Sequence, residues 1–142
     1  MRKTAIKRER IEQLLDAGYG ECFLAKPEIA PLIEKSLLHF DAIRYSLHEW
    51  VIMPNHVHLL LTVYAEFTLR FTIGNFKSYT AQVANGLLQR QGQFWYPEFY
   101  DRYIRTAQHY ENVVYYIHNN PVKAGLCAEA KQWEFSSARR RL

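Results

Sequence analysis

Hydrophobic and polar positions change period several times along this chain, and each change marks an element. From Val51 to Val63 the run Val-Ile-Met-Pro-Asn-His-Val-His-Leu-Leu-Leu-Thr-Val reads as strand, tight turn, strand. Pro54-Asn55 supplies the turn, because Pro presets φ and Asn tolerates turn geometry. After the turn the residues alternate. His56, His58, Leu60 and Thr62 share one face, while Val57, Leu59, Leu61 and Val63 share the other. Upstream, Ile43, Tyr45 and Leu47 alternate with Arg44, Ser46 and His48, which predicts a half-buried strand running through Trp50-Val51-Ile52. The two strands make an antiparallel hairpin, with His48 expected on its solvent side.

Helical spacing covers most of the remainder. Residues 1–20 predict a basic lead-in helix, with Ile11, Leu14 and Leu15 as a partial stripe and Gly18 as its stop. Gly20 to Leu24 predict a short extended piece. Pro27 opens a second helix with Ile29, Leu32, Ile33, Ser36, Leu37 and Phe40 facing inward, and His39 lies at its end. A long helix from about Leu69 to Leu88 has Ile73, Phe76, Thr80, Val83 and Leu87 as its stripe, with Asn85-Gly86 near its end. Phe94 to Arg105 reads as a Pro-containing loop feeding a strand, with several rings in the core. The last helix, about Gln108 to Asn119, buries Tyr110, Val113, Val114 and Ile117. Asn120-Pro121 is expected to end it, since Pro disfavours helical geometry in the residue before it. Gly125 makes the next turn, and the tail 126–142 carries Trp133 and Phe135 as anchors. This order predicts an α+β fold, an antiparallel sheet with helices packed on one face. A doubly wound parallel sheet is disfavoured, because the clearest strands form a hairpin.

Length and composition narrow the class. At 142 residues, 49% hydrophobic, the chain forms one domain, 1–142, with a real core. A charge of +4 and 15% aromatics suit a nucleic-acid partner, because cations hold phosphate and rings stack on bases. The basic start (Arg2, Lys3, Lys7, Arg8, Arg10) reads as a solvated helix face. Cys22 and Cys127 form no paired motif, which fits a cytoplasmic protein with free thiols. No apolar run follows the basic N-terminus, and none nears the ~20 residues of a membrane span.

Two imidazoles two residues apart on a strand stand about 6.5–7 Å from each other, a spacing that suits two ligands of one ion. An isolated pair reads more readily as a turn residue, His56, and a cross-strand surface residue, His58, so a third ligand decides the matter. Asn120 offers a carbonyl oxygen, a hard donor for Mg²⁺ or Mn²⁺. At about 100° per residue Tyr116 falls on the edge of the last helix's stripe and Tyr115 nearly opposite it. Asn120, four residues beyond Tyr116, shares that edge. Tyr116 could then reach a phosphate held by such an ion. Lys77, Arg102 and Arg105 are the candidate phosphate contacts, and Gln82, which like Lys77 lies away from the stripe of its helix, could touch phosphate as well.

His56-Val57-His58 within Met-Pro-Asn-His-Val-His-Leu-Leu, together with Tyr116-Ile-His-Asn-Asn120-Pro-Val-Lys-Ala-Gly125, resembles the single-tyrosine HUH transposases. The group is that of the REP-associated tyrosine transposases, relatives of the transposases of small bacterial insertion sequences. Lys77-Ser-Tyr-Thr-Ala, Tyr100-Asp-Arg-Tyr-Ile-Arg105 and the tail Trp133-Glu-Phe-Ser-Ser137 are also similar, so the resemblance spans about residues 17–138. It implies His56, His58 and Asn120 as metal ligands and Tyr116 as nucleophile. It implies a ferredoxin-like or RRM-like sheet flanked by helices, and cutting and rejoining of single-stranded DNA beside hairpins. The intermediate would be a 5′ phosphotyrosine, and a homodimer is compatible. Family members begin with a strand central in the sheet. Residues 1–20, read as a helix, leave none, so a sheet missing its first strand is the expectation. On that ground a non-catalytic hairpin-binding module is the alternative, and a plain metal-dependent nuclease a third reading.

Overall fold

The structure, a computed structural model, describes residues 9–17, 22–97 and 100–141. In chain order its elements are β1 (Arg10–Asp16), α1 (Ile29–His39), β2 (Tyr45–Ile52), β3 (His56–Val63), α2 (Leu69–Leu88), β4 (Tyr100–Tyr103) and α3 (Ala107–Lys123). Short 3₁₀ turns lie at Phe23–Ala25, Ala130–Gln132 and Arg139–Arg141. The strands form one antiparallel sheet in the order β2-β3-β1-β4.

Residues 10–16 therefore correct the expectation of a lead-in helix. They pair with β3 on one side and β4 on the other, and fill the central place expected to be empty. Ile11, Glu12, Gln13 and Leu15 are all buried. A strand covered on both faces loses its alternation, and the spacing of Ile11, Leu14 and Leu15 then imitates a helix. The basic residues 2–8, Gly18 and Gly20 lie outside the described residues. Phe23 and Leu24, expected to be extended, make a buried 3₁₀ turn instead.

Helices cover both faces, not one. On one face α1 and α2 close a large core in which Trp50, Ile52, Val57, Leu59 and Leu61 meet Ile33, Leu37, Ile73 and Phe76. Each such side chain contributes about 1.5–3 kcal/mol by leaving water. On the other face α3 sets Val113 and Ile117 against Val51, Met53 and Leu60. A sheet with apolar residues on both sides needs cover on both.

β2 carries an irregularity that alternation alone does not foretell. Leu47 opposes Leu61 but Glu49 opposes Leu60, so His48 is an extra residue in a bulge. The bulge inverts the facing of everything after it. Trp50 and Ile52 join the α1/α2 core, while Glu49 and Val51 face α3. His48, expected in solvent, is half-buried and hydrogen-bonded to Thr62 at 2.8 Å.

α2 ends where its stripe predicts, although Ala84 is buried and Leu87 is exposed. α3 runs past its expected stop, through Pro121 to Lys123. Pro121 has no N–H, so the Ile117 carbonyl loses its helical partner. The ring is buried, continuing the row of Val113 and Ile117, and this packing holds the last turn. Gly125, at φ 78°, then reverses the chain. The tail returns to β2: Ile52 N–H donates to the Phe135 carbonyl and Ser137 N–H to the Trp50 carbonyl, both at 2.9 Å. Trp133 Nε1–H donates to the Ile52 carbonyl at 2.9 Å, so the tail covers that edge of the sheet.

Candidate functional site

The hairpin turn brings the first imidazole into place. Met53 N–H donates to the His56 carbonyl at 2.8 Å, closing a two-residue loop at Pro54-Asn55. The Asn55 side-chain oxygen lies 2.9 Å from His56 Nδ1. That oxygen only accepts, so Nδ1 carries the hydrogen and Nε2 keeps its lone pair. Nε2 faces the Asn120 amide of α3 at 3.3 Å. Burial holds His56 below the ordinary imidazole range, with the neighbouring His58 adding to this and Asp16 opposing it. The Nε2 electron pair is thus turned toward α3, where the Asn120 amide meets it.

His58 lies two residues on, on the same face, and is buried. Its Nε2–H donates to Glu12 of β1 at 2.7 Å. This bond, more than the charges of His58 and Arg102, holds the Glu12 carboxyl below its usual range against the effect of burial. Arg102 Nε stands 3.8 Å from the other Glu12 oxygen and donates to Tyr100 Oη at 2.6 Å.

α3 meets the sheet with Val113, Ile117 and Pro121 in the middle of the contact. Asn120 is on one flank of that row, against His56, and Tyr116 is one turn before it on the same flank. Tyr116 is 57% exposed and packs edge-on to Tyr115, which is 63% exposed. His118 is on the opposite flank, where its Nε2–H donates to Glu49 at 2.6 Å.

The structure thus brings His56 and Asn120 into contact, with His58 beside them on the strand and Tyr116 beside them on the helix. Of the predicted DNA contacts, Arg102 stands beside this group through Glu12, while Lys77 and Arg105 lie apart. Lys77, on α2 across the sheet, donates to the Tyr96 carbonyl at 2.5 Å. Arg105 is exposed and lines a cleft of about 500 Å³ with Arg10, Ser46, His48, Thr62 and Ile104. Sequence reasoning missed Glu12, because its strand was read as a helix, and Glu49, because alternation does not show the bulge that turns it toward α3. A charge inside the apolar run Leu47 to Ile52 was the available signal for Glu49.

The donor set, two imidazoles and a carboxamide, fits a divalent ion of the Mg²⁺ or Mn²⁺ kind once the amide presents its oxygen. Among the described residues no three His, Cys, Asp or Glu side chains gather as an ion-binding group.

Comparison with known proteins agrees with this architecture. The family model described as "Transposase IS200 like" matches residues 30–120, more than half of the chain. A REP-associated tyrosine transposase of Escherichia coli (strain K12) is 29% identical over 98 residues, 68% of this chain and 56% of that protein. The chain therefore spans little more than half the length of that relative. Among solved structures, a REP-associated tyrosine transposase bound to a REP hairpin superposes with a TM-score of 0.72 at 20% identity, covering 95% of this chain and 79% of the other. A candidate transposase from Deinococcus radiodurans R1 superposes with a TM-score of 0.59 at 17% identity, covering 80% and 92%. With its hairpin-borne histidines and its flanking α3, the chain belongs to the family of IS200-like transposases.

Proposed function

We propose that this chain nicks and rejoins single-stranded DNA next to hairpins, with Tyr116 as nucleophile and a divalent ion, Mg²⁺ or Mn²⁺, held by His56, His58 and Asn120. One observation carries the reading: the 3.3 Å contact between Asn120 and His56, which sets the Tyr116 flank of α3 beside the strand that bears both imidazoles. Family membership and a structural neighbour bound to a REP hairpin support DNA hairpins as the substrate class.

In this reading the ion supplies Lewis acidity to the scissile phosphate, offsetting charge that builds up on its oxygens. Asn55 fixes the His56 tautomer that leaves Nε2 free to bind. His58 would join these ligands only with its Nε2 proton passed to Glu12 and that hydrogen bond given up; Arg102 Nε stands 3.8 Å from the other Glu12 oxygen. A phenol is a poor nucleophile at neutral pH until its proton is removed. The Tyr116 oxygen, deprotonated, attacks phosphorus, and the bond from phosphorus to the 3′ oxygen breaks. The products are a 5′ phosphotyrosine and a 3′ hydroxyl, the leaving oxygen taking up a proton. A second 3′ hydroxyl reverses the exchange, so the bond is conserved and rejoining needs no ATP. Exposed Arg102 and Arg105 hold the DNA backbone, and Lys77, across the sheet, contributes only once its ammonium leaves the Tyr96 carbonyl.

A hairpin-bearing oligonucleotide incubated with Mn²⁺ and run on a denaturing gel tests this. Wild type and Tyr115→Phe should give a covalent adduct; Tyr116→Phe, or wild type with EDTA, should give none. Hairpin binding that survives EDTA without any adduct would identify a non-catalytic module. Cutting without a protein-linked product would identify a plain nuclease.

A further inference from the structure

α3 is held to the sheet by polar contacts on both flanks. On one, Asn120 meets His56; on the other, His118 donates to Glu49 Oε1 at 2.6 Å. The same Glu49 oxygen accepts from Ser137 Oγ at 2.7 Å, and Ser137 Oγ accepts from Trp50 N–H at 2.9 Å. Glu49 is 2% exposed, and its strand neighbour Trp50 anchors the main core. One buried carboxylate thus joins the sheet, the C-terminal tail and the side of α3 turned away from Tyr116.

We infer that Glu49, acting through His118, is a positioning element that fixes the roll of α3 about its axis and so places Asn120 and Tyr116. The apolar row of Val113, Ile117 and Pro121 alone does not fix roll, because dispersion contacts are non-directional and tolerate small rotations. A short hydrogen bond is directional. A roll of about 10° moves a phenol oxygen about 9 Å from the axis by about 1.5 Å. Misplacement of about 1 Å can slow a reaction on the order of 100-fold. The bulge at His48 is what turns Glu49 toward α3, so an irregularity in β2 sets the geometry of a site on its neighbour. Ser137 adds the tail to the same clamp.

The inference rests on the proposed function for its kinetic consequence but not for its geometric one, and the test reads both. His118→Ala removes the donor, and His118→Gln keeps an N–H at similar reach. In the first, the side-chain amide signals of Asn120 should shift in NMR spectra and lose their contact with His56. Single-turnover adduct formation should slow by about 10- to 100-fold, while affinity for the hairpin oligonucleotide changes less than about threefold. In the second, all three should return close to wild type. Unchanged Asn120 signals in a folded His118→Ala protein overturn the inference, whatever the activity. Failure of His118→Gln to restore them also overturns it. If Asn120 responds as expected but wild type forms no Tyr116 adduct, the roll control stands and the strand-transfer reading falls.

Discussion

At the scale of single residues, the site depends on one imidazole tautomer. Asn55 is a turn residue by position, yet its side-chain oxygen decides which nitrogen of His56 is free. Partners of this kind tune metal-binding histidines and change affinity on the order of 10- to 100-fold. Asn55→Ala should therefore weaken Mn²⁺ binding about 10-fold by titration calorimetry, whereas Asn55→Asp, which keeps the acceptor, should hold it near wild type. Equal weakening in both would assign Asn55 to the turn alone. His56 was legible in the sequence because alternation fixes the facing of its strand. Its tautomer was not, because that depends on a neighbour's rotamer.

At the scale of elements, the bulge in β2 places a titrating group inside the fold. Burial, aided by the charge of Arg10, holds His48 below its ordinary value, against the pull of Glu49 and Asp41. The unfolded chain therefore binds the proton more readily than the folded one. Stability should be full above pH of about 6.5 and fall as the medium is acidified through that value toward the lower folded pKa. His56 shifts in the same direction. Urea midpoints at pH 7.5 and 5.5 check this. His48→Gln, which keeps a bond to Thr62, should reduce the drop without removing it, and an unchanged drop would deny His48 any share. The elements also show what pattern reading does well. The hairpin and α2 keep their expected places, because the Pro54-Asn55 turn sets the first and an apolar stripe at helical spacing sets the second. β1 was missed because Gln13 interrupts the apolar face of Ile11 and Leu15, and Leu14 interrupts the polar face of Arg10, Glu12 and Asp16, so its alternation is broken.

At the scale of the whole molecule, a chain of net charge +4 sets its three candidate DNA-contacting cations in different places. Arg102 and Arg105 are exposed on or beside β4, while the Lys77 ammonium donates to a backbone carbonyl on the far side of the sheet. Hairpin DNA affinity should fall steeply with salt, and each lost phosphate contact should flatten the log–log slope by about 0.7–0.9. Arg102→Ala and Arg105→Ala should each show this in fluorescence anisotropy. Lys77→Ala should change the slope less, because its ammonium must first leave Tyr96; an equal change would place Lys77 directly on the DNA. Among the described residues no helix is long and apolar enough to cross a membrane.

The sequence by itself determined the α+β class, the hairpin, the pairing of His56 with His58 on one face, and the shared edge of Tyr116 and Asn120. These are local consequences of the periods 2 and 3.6, so they need no knowledge of distant contacts. Only the tertiary structure decided which side of the sheet α3 would cover, that Asn120 would reach His56, and that Glu12 and Glu49 would be buried against His58 and His118. Those outcomes depend on strand order and on one inserted residue in β2, and both are settled by packing between segments far apart in the chain.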